Sequence, residues 1–137
     1  MDKQHAEEHY MQLQMIDEQM RMMEDELRSL EQRGEEIQRL KNSMTSLKDA
    51  KKGCKAFSSL GLGIYAESEL RDTEKFLVNI GSGVVIRKSL HETEDLLDRK
   101  VKEIANIGSE IVQEIQMMGV KATSIQRELQ QELGLPK

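Results

Sequence analysis

Aromatic residues, proline and cysteine are scarce in this sequence of 137 residues, which has no Trp, two Tyr, two Phe, one Pro and one Cys. A domain of this length normally buries about two-thirds of its unfolded surface, with aromatic side chains supplying much of the core. With aromatics at 3% and charged residues at 33%, a single compact enzyme domain is not expected. The apolar residues must instead be arranged in lines.

The single cysteine, Cys54, excludes an intrachain disulfide and fits a reducing compartment. The N-terminal residues lack the basic and apolar regions of a signal peptide, so a cytoplasmic location is expected. No apolar stretch approaches the roughly 20 residues that span a bilayer. The net charge of -5 does not favour the binding of a polyanion such as a nucleic acid. Neither a membrane nor a nucleic acid is therefore expected as a partner.

Charge and glycine divide the chain into three parts. Residues 1–47 and 89–137 have net charges of -5 and -3, whereas residues 48–88 have a net charge of +3 and are punctuated by five glycines. Because glycine interrupts helices and marks turns, the secondary structure changes in the middle part. The sequence predicts a coiled-coil helix over residues 1–52, strands over 53–88 and a second coiled-coil helix over 89–137.

The first segment has the alternating spacing of 3 and 4 residues that is typical of a heptad seam. The seam residues are Leu13, Ile16, Met20, Met23, Leu27 and Leu30. Gly34 falls on the seam, and the apolar residues after it are displaced by about three positions, which predicts a stammer with local overwinding or a bend. These later residues are Ile37, Leu40, Met44 and Leu47.

The last segment has the same pattern, in one register if Gly108 occupies a seam position. Its seam residues are Leu97, Val101, Ile104, Ile111, Ile115, Met118, Ala122, Ile125 and Leu129. Because the two helices are similar in length and are joined by a folded middle, the simplest packing is antiparallel. The residue numbers of two facing positions then sum to about 138. Met20 therefore faces Met118, and the seam of one helix packs against the seam of the other.

Helix boundaries are also predicted from local signals. Ser89 and Glu92 form a capping box directly before the periodic run, so the second helix should begin near Leu90. The first helix should end at Lys51-Lys52-Gly53, because cations suit the negative end of the helix dipole and glycine adopts the left-handed conformation that closes a helix.

Two β-hairpins are predicted between the helices. Apolar and polar residues alternate over residues 64–71, as in a strand with one buried face, and residues 54–59 are its weaker partner. Residues 76–80 and 84–86 are apolar on both faces, and the three-residue loop Gly81-Ser82-Gly83 joins them. The predicted fold is therefore mainly α, a long antiparallel two-helix coiled coil with two β-hairpins between the helices.

Four short strands cannot cover both of their apolar faces once the helices are paired with each other. Such faces and edges are covered by closing a barrel or by pairing with other subunits, so we expect the strands to form an oligomerisation platform. The predicted platform residues are Ile64, Ala66, Leu70, Phe76, Val78, Ile80, Val84 and Ile86.

Nearly the whole chain resembles the alpha class of prefoldin subunits, particularly the archaeal form. The resemblance is most specific at residues 61–67 (GLGIYAE), at residues 76–86 (FLVNIGSGVVI) and at Lys88-Ser89-Leu90. It implies a hexamer of two alpha and four beta subunits, in which the hairpins assemble into intersubunit β-barrels. It also implies that non-native proteins are held at the distal tips of the coiled coils and passed, without nucleotide, to a group II chaperonin.

One departure from the family pattern lies at residues 55–60. Many family members have an apolar, proline-containing stretch there, whereas this chain has Lys55-Ala56-Phe57-Ser58-Ser59-Leu60. The first strand is therefore expected to be shorter or differently paired.

Methionines concentrate in the helix halves that the antiparallel pairing places away from the strands. Their unbranched, polarizable side chains adapt to irregular apolar partners. The predicted client-binding residues are Tyr10, Met11, Met15, Met22, Met118, Ile125, Leu129 and Leu133. For seam residues such as Met118 the competing interpretation is core packing, and for off-seam residues such as Met11 it is ordinary fraying of a helix end.

Catalytic patterns are weak in this sequence. His5 and His9 are spaced to share a metal, but solvated residues at a helix start are the simpler interpretation, and Cys54 has no His partner nearby in sequence. We therefore expect no enzymatic activity, no metal and no cofactor. The alternative to a chaperone subunit is a structural coiled-coil scaffold or adaptor that binds one specific folded partner. An arm that serves RNA is disfavoured by the acidic helices.

Overall fold

The computed structural model describes residues 3–134; residues 1–2 and 135–137, which belong to the two predicted terminal segments, lie outside the described residues. The predicted order of helix, two hairpins and helix is confirmed. The elements are α1 (Lys3–Leu47), β1 (Lys55–Gly61), β2 (Ile64–Glu69), β3 (Lys75–Gly81), β4 (Val84–Ser89) and α2 (Leu90–Glu132). Within residues 3–134, neither helix combines the length and the apolar character that crossing a bilayer requires.

The chain forms two compact units, each containing part of both helices. We call residues 1–33 with 103–137 the helical unit, and residues 34–102 the hairpin unit. In the helical unit the helix segments are antiparallel, because His9 contacts Glu128 and Glu132 while the Leu27 side chain packs over Gly108. The buried side chains of this unit are Ile16, Leu30, Ile111 and Ile125.

The helix segments of the hairpin unit are antiparallel as well. Lys41 Nζ lies 2.6 Å from Asp98 Oδ1, and Lys48 Nζ lies 3.1 Å from Glu94 Oε1. The hydrogen bond from Lys41 holds the pKa of Asp98 below its ordinary value. The buried side chains of this unit are Ile37, Met44, Thr93 and Leu97.

The seam of α1 keeps one register, so the predicted stammer is wrong. Gly34 does occupy a seam position, but the next seam position after Ile37 is Lys41 rather than Leu40, which is 48% exposed. Lysine fits there because its methylene stem covers apolar surface while its ammonium reaches Asp98. The other predicted seam residues of α1 are buried or half-buried.

The seam predicted for α2 is confirmed at every position. All nine apolar residues from Leu97 to Leu129 and the intervening Gly108 are buried or half-buried, whereas the residues between them are mostly exposed. The 3 and 4 spacing therefore identified the packed face of this helix without a shift of register.

The N-terminus of α2 is closed by the predicted capping box. The Glu92 N–H donates to Ser89 Oγ at 3.1 Å, and the Ser89 N–H donates to Glu92 Oε1 at 3.1 Å. Hydrogen bonding to Ser89, chiefly from its backbone N–H, lowers the pKa of Glu92 below its ordinary value. The helix accordingly begins at Leu90, as predicted.

The end of α1 was predicted wrongly. The helix ends at Leu47, before Lys51-Lys52-Gly53. Gly53 has a φ of +84°, but its N–H donates to the Leu70 carbonyl at 2.7 Å, and the Leu70 N–H donates to the Cys54 carbonyl at 3.0 Å. These backbone bonds continue the pairing of the first hairpin, so Gly53 serves the strands rather than the helix end.

The hairpins are two separate two-stranded antiparallel sheets, β1 with β2 and β3 with β4. β1 spans seven residues, six of which have partners in β2, and the register shifts between Ser59 and Gly61. The expectation that this strand is shorter or differently paired than in family members stays a prediction. Two residues connect each pair, Leu62-Gly63 and Ser82-Gly83, and all four have the positive φ of a type I′ turn. Gly81, predicted as a loop residue, is the last residue of β3 and pairs with Val84.

Replacing Ser89 with Ala should lower the free energy of unfolding by about 1 kcal/mol, because the Glu92 N–H loses its acceptor. Denaturant unfolding followed by far-UV circular dichroism measures the change. Ser109→Ala, the same substitution at an exposed position inside α2, is the matched control and should change stability by less than about 0.5 kcal/mol. Equal effects of the two substitutions would contradict the capping role of Ser89.

Acid should destabilise the hairpin unit through Asp72 and Glu92. Asp72 accepts hydrogen bonds from the N–H groups of Glu74 and Lys75, which lower its pKa, as the bonds with Ser89 lower that of Glu92. A depressed folded-state pKa stabilises above the unfolded-state pKa, and this contribution is lost as the pH falls through the folded-state value. Stability should therefore decline below pH 4.5, the ordinary pKa of Glu92.

Unfolding measured across a pH series tests this expectation. Asp72→Asn keeps an oxygen acceptor but removes the titrating charge, so it should lose less stability in acid than the wild type. Carboxyl NMR titrations that gave ordinary pKa values for both groups would contradict the assigned hydrogen bonds.

Candidate interaction surfaces

The helical unit exposes large apolar side chains that do not belong to its seam. Each of them is more than half exposed, although a helix of this kind normally keeps such residues on its buried face. They are Tyr10, Met11, Met15, Met22, Met117, Val120 and Leu133. We call this set the off-seam surface.

Four of the off-seam residues come from the early part of α1, two come from the late part of α2, and Leu133 follows the end of α2. Five of the seven were predicted to bind clients. Met117 was noted only as one of the methionines, and Val120 was missed. The exposure of Val120 could have been predicted from the sequence, because Val120 follows Met117 by three residues and neither residue is a seam position.

The remaining predicted client-binding residues are less accessible. Met118 and Leu129 are half-buried seam residues. Ile125 is only 7% exposed, so it does not reach a partner while the helices remain paired, and we exclude it from the contact surface. A seam position supports client contact only where an open groove reaches it.

Open grooves lie along the helical unit, and two of them reach the predicted client-binding seam residues Leu129 and Met118. The first lies near the end of the helix pair, where Tyr10 and Met11 of α1 line a groove together with Leu129 of α2 and Leu133, which follows that helix. The second contains Met117, Met118 and Val120 of α2 together with Ile16 of α1. Residues that are far apart in sequence therefore line the same largely apolar grooves.

A polar layer interrupts the seam beside the first groove. His9 occupies the seam position before Leu13, and its Nε2 and Nδ1 lie 3.3 Å from Glu128 Oε2 and 3.0 Å from Glu132 Oε2. The two carboxylates face opposite nitrogens of the ring, so they do not converge on one point. Among residues 3–134 there is no group of three or more His, Cys, Asp or Glu that could hold a metal ion.

The position of His9 was detectable from the sequence, since it precedes Leu13 by the seam spacing of four. A polar seam residue favours one register of a coiled coil at some cost in stability. The His9 layer therefore aligns the helix ends, while the last turns gain less apolar burial than the rest of the seam.

The hairpins expose apolar side chains on both faces. Among the predicted platform residues, Ile64, Ile80 and Val84 are at least half exposed. Ile86 is less exposed, and the other four are half-buried. Strand alternation places a second set of exposed residues on the opposite faces, which the predicted platform did not include. These are Phe57, Tyr65, Leu77 and Val85.

The parts of the hairpins next to the turns lack the charges and prolines that often protect free strand edges. Residues 56–66 and 76–86 contain no charged side chain, although charged residues make up 33% of the chain. Soluble proteins usually place charges or proline on exposed edges to prevent pairing with other chains. Edges and faces of this kind are suited to covering by another subunit.

An antiparallel helix pair joined through two exposed apolar hairpins defines a class of two-helix coiled-coil protein. Residues 16–134 match the family described as "Prefoldin subunit", and the chain belongs to the prefoldin family. It is similar to prefoldin subunit alpha of Archaeoglobus fulgidus, with 31% identity over 74 residues covering 54% of each chain. It is also similar to prefoldin subunit alpha of Thermofilum pendens, with 29% identity over 102 residues covering 74% of this chain and 76% of the relative.

The matched regions thus span about half of the first relative's length and about three-quarters of the second's. A cryo-EM structure of filamentous PFD from Methanocaldococcus jannaschii has the same fold, with a TM-score of 0.60 over 93% of this chain and 99% of that one. At 14% identity this likeness concerns the fold alone. The predicted resemblance to the alpha class of prefoldin subunits and the predicted mainly α fold are confirmed.

Buried and off-seam apolar residues should respond differently to substitution. Ile125→Ala removes a seam side chain that is 7% exposed and should cost about 2 to 4 kcal/mol of unfolding free energy. Met15→Gln, at a position 59% exposed, should change stability by less than about 0.5 kcal/mol, since Gln and Met have similar helix propensities. Denaturant unfolding of both variants is the measurement. A large loss for Met15→Gln would assign Met15 to packing.

Proposed function

We propose that this chain is an ATP-independent chaperone subunit that binds non-native proteins with the off-seam surface and the two grooves of the helical unit. The observation that carries the proposal is the set of seven large apolar side chains, each more than half exposed, on helices whose seam is already satisfied. An apolar surface that the fold does not use for its own stability is available to a client.

The side-chain chemistry supports binding of many different clients. Three of the four off-seam residues on α1 are methionines, as is one on α2. Methionine is unbranched and polarizable and therefore adapts to irregular apolar segments. No covalent chemistry is needed for this activity.

Weak contacts at one subunit explain how a client is both held and released. Burying one apolar side chain gains about 1.5 to 3 kcal/mol, most of which offsets the cost of association when only a few contacts form. Several subunits that hold one client raise its effective local concentration, so the assembly binds more tightly than any single subunit does. Stepwise release from such sites requires no nucleotide.

The proposed assembly is a hexamer of two alpha and four beta subunits, in which the hairpins form intersubunit β-barrels. It is supported by the absence of charge over residues 56–66 and 76–86 and by the exposed apolar side chains of these segments. Two-stranded hairpins have only marginal stability alone, and closing them into barrels with other subunits covers their edges. The partners are then beta-class prefoldin subunits, and the assembly is expected to act in the cytoplasm.

A group II chaperonin is the proposed recipient of the client. A holding surface made of individually weak apolar contacts delays aggregation but does not fold the client. The client must therefore pass to a partner that encloses it. Transfer is favourable when the recipient covers more apolar surface than the off-seam surface does.

Aggregation assays on the reconstituted hetero-oligomer test the contact surface. Replacing Met11, Met15, Met22 and Met117 together with Gln should raise the concentration needed for half-protection of a heated client by about tenfold or more, because several apolar contacts are lost. Light scattering with two unrelated client proteins measures protection. Leu40→Gln with Ile107→Gln, two other exposed apolar positions on the same helices, is the control and should protect like the wild type.

Full protection by the four-methionine variant would show that the off-seam surface is not the contact surface. A wild-type assembly that protects neither client but binds one folded protein tightly would instead identify a scaffold or adaptor. Circular dichroism and native mass must show that each variant remains helical and assembled before protection is compared.

A further inference from the structure

The turn of the first hairpin contains a residue that its backbone conformation disfavours. Leu62 has a φ of +52°, and Gly63 follows with +77°. Type I′ turns prefer Asn, Asp or Gly at the first central position. A bulky residue with positive φ is uncommon because its Cβ approaches the backbone too closely. Leu62 is also fully exposed, at 102% relative accessibility, so no packing within residues 3–134 compensates for this strain.

The second hairpin shows that the turn itself does not require leucine. Ser82 and Gly83 have φ values of +51° and +75°, nearly the same as Leu62 and Gly63. The glycines that precede the two turns, Gly61 and Gly81, each pair with the residue after the turn. A small polar residue therefore fills the same place in the second hairpin. The apolar side chain of Leu62 is unexplained by the turn.

The surroundings of Leu62 are apolar and exposed as well. Leu60 and Ile64 flank it and are 69% and 58% exposed. We call Leu60, Leu62 and Ile64 the apolar tip. It lies at the centre of the eleven uncharged residues 56–66, and Ile64 also belongs to the predicted platform. The tip is therefore continuous with the surface proposed for assembly.

We propose that Leu62 is an interface anchor that inserts into an apolar recess on a neighbouring prefoldin subunit. The inference rests on the proposed assembly through the hairpins. Burial of the Leu62 side chain in the complex offsets the backbone strain that the free chain carries. Backbone strain is often found at functional sites, and a few side chains seated in well-packed pockets supply most of the binding energy of an interface.

A neighbouring subunit fits this position better than a client does. A two-residue turn between paired strands holds Leu62 at a fixed place, which suits one recess of defined shape. Clients present varied apolar segments and are matched by the adaptable methionines of the helical unit. The tip has no methionine and no charge.

Leu62→Asn distinguishes the backbone strain at this position from the proposed contact of its side chain with another subunit. Asn tolerates positive φ, so the free chain should unfold at a denaturant concentration no lower than that of the wild type. Assembly with a beta-class prefoldin subunit should require about tenfold more protein, because one apolar anchor is lost. Sedimentation velocity and native mass, measured over a range of concentrations, report assembly.

Two further variants serve as controls. Ser82→Asn makes the equivalent change in the second turn and should leave assembly unchanged. Leu62→Met keeps an apolar side chain of similar volume and should assemble within about threefold of the wild type.

Wild-type-like assembly of Leu62→Asn would overturn the anchor assignment while leaving the proposed assembly intact. Normal assembly with reduced client protection would also overturn it and would assign Leu62 to client contact. Failure of the wild-type chain itself to assemble with the beta-class subunit would contradict the proposed function, so the two failures are distinguishable.

Discussion

A narrow apolar seam is the constraint on which the rest of this structure depends. Spacings of 3 and 4 residues place one line of apolar side chains on each helix, and pairing the lines buries residues such as Ile37, Leu97 and Ile111. A seam of this width covers only the side chains that compose it. The remaining apolar residues of the helices, and most of those in the hairpins, therefore stay exposed, and the exposed surface is a consequence of the architecture.

The two exposed surfaces differ in the side chains that form them. The off-seam surface is rich in methionine and lies on helices with many charged residues, which favours adaptable and reversible contact. The hairpin surface is rich in leucine, isoleucine and valine, with no charge over residues 56–66 and 76–86, which favours a fixed and more extensive interface. The two proposed roles, client contact and assembly, thus fall on different kinds of secondary structure.

Much of the candidate site was predictable because it follows from the seam. Residues such as Met15 and Met22 fall between seam positions, so their exposure could be derived from register alone. The second apolar face of the hairpins was left out of the predicted platform for two reasons. Phe57 lies in a strand whose pattern is weak, and Tyr65 lies on the face of its strand that the alternation assigns as polar. The end of α1 was misplaced because Gly53 resembles a helix cap in sequence, although its hydrogen bond goes to the second strand.

The sequence by itself determined the helices, the start of α2, the glycine turns and nearly all seam positions, because each depends on residues within a few positions along the chain. Only the tertiary structure decided that Lys41 replaces Leu40 in the seam and that His9 meets Glu128 and Glu132. Both outcomes depend on carboxylates supplied by the opposite helix. Spacing along one helix identifies the face that packs, whereas the residues that share each layer follow from the alignment of two helices in space.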